Sequence, residues 1–231
     1  YILNILKRTC IMKIHKEGRS FLLTLLLALI AINGLIYLIV NSIILTTCTI
    51  VVSLGFLSFF TYFFRISERT HIADDNYIVA PADGTIVVIE PTEENGLLHE
   101  KRIQVSIFMS PFNMHANWYP IAGKILHSSH QKGRYMAAYL PKSSTENERS
   151  TVLIEAPNKQ TVLVRQVAGA LARRIVTYAK EGQECHRNEQ MGFIKFGSRV
   201  DLYLPLDAEI LVDIDDETVG NETIIAKLKH N

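Results

Sequence analysis

The dipeptide Gly197-Ser198, within MGFIKFGSRVDLYLP (Met191–Pro205), has a chemistry that depends on its surroundings. It follows an apolar run, precedes an alternating one, and leaves 34 residues from Ser198 to Asn231. A Gly-Ser pair ordinarily marks a turn. A serine hydroxyl can also attack the carbonyl before it when the backbone is held strained, and Gly197, lacking a Cβ, permits that geometry. The resulting ester can eliminate to dehydroalanine, which hydrolyses to a pyruvoyl group. The chain would then cut itself and build its own electron sink.

His115 lies in FMSPFNMHANWYP (Phe108–Pro120), a Pro-bracketed loop after a strand pattern. Such a loop presents a side chain to a cleft, where an imidazole serves as a base; the plainer reading is a hydrogen-bonded structural histidine. Asp83 occupies the turn Ala80-Pro81-Ala82-Asp83-Gly84, where it either caps the turn or acts as a carboxylate. Similar APxDG turns occur in lipoyl and biotinyl carrier domains, but those need a modifiable Lys at a hairpin tip, and this region supplies none. Arg149, beside Asn147-Glu148, and the pair Arg173-Arg174 are either solvated faces or a clamp for phosphate or carboxylate. His99, His127, His130 and His186 form no metal-binding pair, and Cys10, Cys48 and Cys185 have neither disulfide nor metal-ligand spacing, so no metal is expected. The absence of GxxxxGK(S/T), GxGxxG, HExxH and GxSxG removes the usual support for phosphate-loop, dinucleotide, zinc-protease and α/β-hydrolase chemistry.

The elements that must position these groups divide sharply. From Phe21 to Phe64 there are 44 residues without Asp, Glu, Lys, Arg or His, about twice the ~20 that cross a bilayer as one helix. The pattern predicts a transmembrane hairpin over residues 21–64, with helices Phe21–Val40 and Ile43–Phe64 reversing at Asn41-Ser42, or less favourably at Asn33-Gly34. Lys7, Arg8, Lys13, Lys16 and Arg19 in the basic segment 1–20 precede it, and Arg65 and Arg69 follow, which places both ends in the cytoplasm. A cleaved signal peptide would have a shorter apolar region and a small-residue cleavage site. The chain begins at Tyr1, and Met12 reads as a native start, with 1–11 outside the native protein.

Residues 65–231 read as one further domain. Short β-branched runs dominate it: Tyr77–Val79, Thr85–Glu90, Arg102–Phe108, Gly123–His127, Thr151–Glu155, Gln160–Val167, Val200–Leu204 and Glu209–Ile214. Their close spacing predicts a β-rich α+β unit, a barrel- or sandwich-like hybrid of many short strands. Val167–Tyr178 fits a short helix or an irregular strand, and the last 34 residues should hold two or three strands. Mixed charge without basic–aromatic interleaving argues against nucleic acid as a partner.

In order, YIVAPADGTIVVIE (Tyr77–Glu90), VSIFMSPFNMHANWYPIAG (Val105–Gly123), NERSTVLIE (Asn147–Glu155), QVAGALARRIV (Gln166–Val176) and MGFIKFGSRVDLYLP (Met191–Pro205) resemble the phosphatidylserine decarboxylase proenzymes in their short bacterial form. The resemblance implies cleavage at Gly197–Ser198 into a large subunit (1–197) and a small one (198–231) headed by a pyruvoyl group made from Ser198. It implies His115 as base toward the Ser198 hydroxyl and Asp83 as its orienter, while leaving headgroup binding or product protonation as an alternative for His115. Longer members carry a second His where this chain has Trp118. The implied reaction is decarboxylation of membrane phosphatidylserine to phosphatidylethanolamine through a Schiff base with the pyruvoyl group. Arg149, Arg173 and Arg174 are the candidate headgroup ligands, and the site faces the cytoplasmic side of the bacterial inner membrane. Whether copies form a homo-oligomer stays open. The rival readings are a non-catalytic lipoyl/biotinyl-like module on a membrane anchor, a membrane-anchored scaffold, and a pyruvoyl decarboxylase of a soluble amino acid.

Overall fold

The charge-free stretch folds as two helices, α1 (Lys16–Val40) and α2 (Ile43–Phe63). The computed structural model describes residues 12–70, 74–133, 146–169, 174–195 and 198–229, and the chain divides after Glu68 into two units. In the first unit, α1 starts earlier than its apolar run because His15 caps it, Nδ1 accepting the Glu17 N–H at 3.2 Å. Asn41 adopts a left-handed conformation (φ 46°) that ends α1, so the reversal falls at Asn41-Ser42. Asn33-Gly34 stays helical. The Asn33 amide donates to the Leu29 carbonyl (2.7 Å) and to Ser53 Oγ on α2 (2.8 Å), the kind of polar link that joins helices in lipid. At 1.5 Å per residue the helices are about 37 and 32 Å long, enough for a hydrocarbon layer of about 30 Å. Their side chains are mostly exposed, Leu38 by 77%, and both helices suit membrane association. Two short strands, β1 (Lys13–Ile14) and β2 (Arg65–Ile66), pair antiparallel and join the hairpin's ends.

The second unit is built on strands β3 (Tyr77–Val79), β4 (Gly84–Glu94), β5 (Glu100–Met109), β6 (Ala116–Trp118), β7 (Gly123–Gln131), β8 (Arg149–Glu155), β9 (Thr161–Ala168) and β10 (Arg174–Thr177). They are followed by β11 (Glu184–Cys185), β12 (Gln190–Lys195), β13 (Ser198–Leu204), β14 (Glu209–Ile210), β15 (Glu217–Thr218) and β16 (Ile224–Lys227). Eight form one antiparallel sheet, β11-β7-β8-β9-β13-β5-β4-β15, curled into a half-barrel. Two three-stranded sheets, β10-β12-β6 and β14-β16-β3, complete the unit.

Alternation sets the faces. Val200, Leu202 and Leu204 of β13, Val162 and Val164 of β9, and Val105 and Ile107 of β5 enter one apolar core. The expected strand Glu209–Ile214 stops at Ile210, because Asp213–Asp216 form a turn in which Asp215 has φ 71° and Asp216 accepts the Asp213 N–H. The C-terminal stretch holds four strands rather than two or three, two of them only two residues long. Within Val167–Tyr178, β9 runs to Ala168 and β10 covers Arg174–Thr177; residues 170–173 lie outside those described.

Candidate active site

Ser198 is the first residue of β13, hydrogen-bonded into the sheet between Met109 of β5 and Ala168 of β9. It is fully buried on the core face, and its hydroxyl donates to Met109 Sδ at 3.2 Å. Two residues, Phe196 and Gly197, separate it from β12 and lie outside the described set. The candidate bond thus falls where the chain leaves the small β10-β12-β6 sheet for the centre of the large one.

His115, also fully buried, immediately precedes β6, the strand beside β12. Its carbonyl accepts the Ile194 N–H at 3.2 Å, so the imidazole rides on the backbone next to the segment leading to Ser198. Its Nδ1 lies 2.9 Å from the Asn113 carbonyl. A carbonyl only accepts, so that contact assigns the hydrogen of the neutral ring to Nδ1 and the basic lone pair to Nε2. The supporting turn is held by Asn113 Oδ1, which accepts from the Ser110 N–H (2.8 Å) and hydroxyl (2.7 Å).

The Asp83 carboxylate is bound by Arg69 and by the Gly220 N–H. Both its oxygens take the guanidinium, Nη1 on Oδ1 and Nη2 on Oδ2 at 3.0 Å, and Oδ1 also accepts the Gly220 N–H at 2.8 Å. A carboxylate this buried needs such partners. The Asn113 carbonyl stands where a triad carboxylate would orient the ring. Trp118, at the position of the second His of longer relatives, lies under Arg69, 5.3 Å from ring centroid to guanidinium. A Cβ on Gly220 would come 2.7 Å from that indole, so glycine alone lets the Asp83 partner approach. The Trp118 N–H donates to the Pro81 carbonyl at 2.9 Å, tying the Asp83 turn to the strand that follows His115.

Sequence reasoning missed a buried polar row on the same face. Asn117 Nδ2 contacts Met109 Sδ (3.7 Å), and Asn117 Oδ1 accepts from Gln166 (2.7 Å). Gln166 Oε1 accepts from the Thr177 hydroxyl (2.9 Å), which also meets Ser150 (2.5 Å). The only signal in the sequence is that Asn117 sits two residues after His115. Thr177 lines an open cleft of about 740 Å³ with His130, Lys132, Glu148 and Arg174. Arg174 therefore reaches a cleft joined by hydrogen bonds to the neighbourhood of Ser198, while Arg173 lies outside the described residues.

Arg149 stands apart. It pairs across β9 with Val167, which pairs with Arg199, so it shares the face opposite Ser198. There Glu94 joins Arg165 (2.5 Å) and accepts the N–H groups of Gly96, Leu97 and Leu98 at 2.7–2.9 Å. Burial pushes the Glu94 carboxyl up, but these backbone donors and Arg165 outweigh it and hold it down to about 2. A lowered folded-state value stabilises the fold above the ordinary value near 4.5, and that contribution fades as pH falls toward 2. Glu94→Gln should therefore lose about 3 kcal/mol at pH 7. Thermal melts should show its deficit against wild type narrowing between pH 7 and pH 3.

The phosphatidylserine decarboxylase family profile matches residues 56–226. A phosphatidylserine decarboxylase proenzyme of Parabacteroides distasonis is 55% identical over 218 residues, 94% of this chain and 99% of the relative. Proteins of that name from Phocaeicola vulgatus (50% identical; 98% and 100% covered) and Bacteroides thetaiotaomicron (50%; 97% and 99%) match as extensively.

Proposed function

The chain belongs to the phosphatidylserine decarboxylase family, and on that premise we propose that it converts Ser198 into a pyruvoyl group and uses it to decarboxylate phosphatidylserine to phosphatidylethanolamine. The observation that carries this reading is the placement of Ser198. It is buried at the head of the central strand with its hydroxyl turned to Met109, and His115 immediately precedes the strand that pairs with β12, the strand leading to it.

In processing, His115 Nε2 takes the hydroxyl proton. Ser198 Oγ bonds to the Gly197 carbonyl carbon, the Gly197–Ser198 C–N bond breaks, and the freed nitrogen is protonated. Loss of the Ser198 α-proton then breaks the Cβ–O bond. Residues up to Gly197 depart as a carboxylate, and water replaces nitrogen as ammonia to give the ketone. The pocket suits such an end, since Met109 and Ala168, its cross-strand neighbours, are buried. Asp83 acts at one remove: with Arg69 it fixes the turn that holds β6, and hence His115.

The pyruvoyl carbonyl supplies an acceptor for the substrate amine and for the electron pair released with CO₂. Buried Phe193 and Ile194 disfavour the substrate carboxylate more than the charge-dispersed transition state. Arg174 and Lys132 on the cleft are assigned to the headgroup phosphate, and His115 to protonation of the product. The apolar hairpin tethers the chain to the bacterial cell membrane with its basic flanks cytoplasmic.

β13, β15 and β16 each pair with strands that precede the cut, so the two pieces should co-elute under native conditions. After denaturation, mass spectrometry should find a 34-residue fragment, Ser198–Asn231, that resists Edman sequencing. An uncut chain in active enzyme overturns the proposal.

A further inference from the structure

The sheet face opposite Ser198 contains a second charged pocket. It encloses about 70 Å³ between Arg149, Arg165, His127, Ser129, Gln131 and Thr151, with Gly96 and Leu97 at its rim. The floor follows from register: Thr151 pairs with Arg165 across β8–β9, and Arg165 with Asp201 across β9–β13. Two arginines, Arg149 and Arg165, line the pocket, and by register Arg102 and Arg199 face the same side together with the carboxylates Glu90, Glu94, Glu100, Glu155 and Asp201. Arg199 bonds Asp201 (2.8 Å), and Arg165 is bonded to Glu94 and the Tyr203 hydroxyl (3.0 Å). Arg165 is about nine-tenths buried, and its Nε–H has no acceptor among the described residues. A Cβ on Gly96 would lie 2.8 Å from Glu94 Oε1 and 3.1 Å from Arg165 Nη2, so glycine keeps the mouth open beside the guanidinium. Burial, and then the nearby Arg165 charge, loosen the proton on Arg149, a strain that an anion between the two would relieve.

We propose that this pocket binds a tetrahedral oxyanion, a phosphate group either free or on a lipid headgroup, at a site separate from Ser198. Paired guanidinium forks, two hydroxyls and a carboxamide match its geometry and charge. The proposal does not depend on the Ser198 chemistry, and the uncut Ser198→Ala precursor should bind the ion equally well.

The test is a titration of inorganic phosphate into the full chain in detergent, at constant ionic strength with chloride as control, followed by thermal melting. Wild type should show a saturable, phosphate-specific rise with half-saturation on the order of 1 mM. Arg149→Gln should raise that concentration at least about tenfold. So should Gln131→Glu, which puts a negative charge at an exposed position on the rim without disturbing the core. Lys101→Gln, exposed on β5, should leave it unchanged. Tighter binding of glycerophosphoglycerol than of inorganic phosphate would identify a lipid headgroup as the source, and the reverse order the free ion. No phosphate-specific rise in wild type, or unchanged half-saturation in both pocket variants, overturns the site.

Discussion

Ser198→Ala should yield one band on a denaturing gel where wild type yields two, and its phosphatidylserine decarboxylation should fall by at least roughly 10⁴-fold. The magnitude follows from the chemistry. Without Oγ there is no ester, no elimination and no ketone, so the later steps have no electron sink to use. The fold should tolerate the change: one oxygen is removed from a buried position where it donates to a thioether, a bond worth about 1 kcal/mol or less. Melting temperatures of precursor and variant should agree within a few degrees, separating lost chemistry from lost structure. Vesicle assays with phosphatidylserine beside free serine would test the substrate class together with the cut. Decarboxylation surviving in the variant would show that the serine is not the source of the cofactor.

What could be read from the residues depended on how local the signal was. The hairpin was legible because an uninterrupted apolar stretch from Phe21 to Phe64 leaves little choice, and Asn41 tolerates the left-handed conformation that ends the first helix. The bond from Asn33 to Ser53, twenty residues away on the other helix, could not be read from the chain. The strands β4, β5, β8, β9 and β13 show in their β-branched runs. By contrast, β6, β11 and β15 are two or three residues long and exist only because longer neighbours offer them hydrogen bonds. Among candidate site residues, Ser198 and His115 were singled out by their flanks, and their proposed roles by the family resemblance. The partner of Asp83 could not be singled out: Arg69 lies fourteen residues earlier in the chain, with nothing in the spacing to announce it. Arg149 was grouped with Arg174 as a headgroup clamp, yet which face it occupies is fixed by the register of β8, β9 and β13, which no single strand encodes. A one-residue shift would have turned it toward Ser198.

His115→Gln should slow self-cleavage of newly synthesised precursor by about 10² to 10⁴-fold, the range for loss of a positioned general base. Glutamine is the informative choice because its amide can still donate to the Asn113 carbonyl and fill most of the buried volume, while offering no basic nitrogen to the Ser198 proton. Melting should therefore barely move. Asp83→Asn is the contrasting case. It leaves Arg69 facing a neutral amide in a largely buried pair, which should destabilise the fold by roughly 3 to 5 kcal/mol. Processing would then be lost in step with stability, and cooling or a stabilising osmolyte should restore part of it. The same treatments should do nothing for His115→Gln, whose defect is a missing proton acceptor. If His115→Gln instead cleaves at the wild-type rate whenever it is folded, the base must be another group, and His115 keeps only its alternative role in protonating the product.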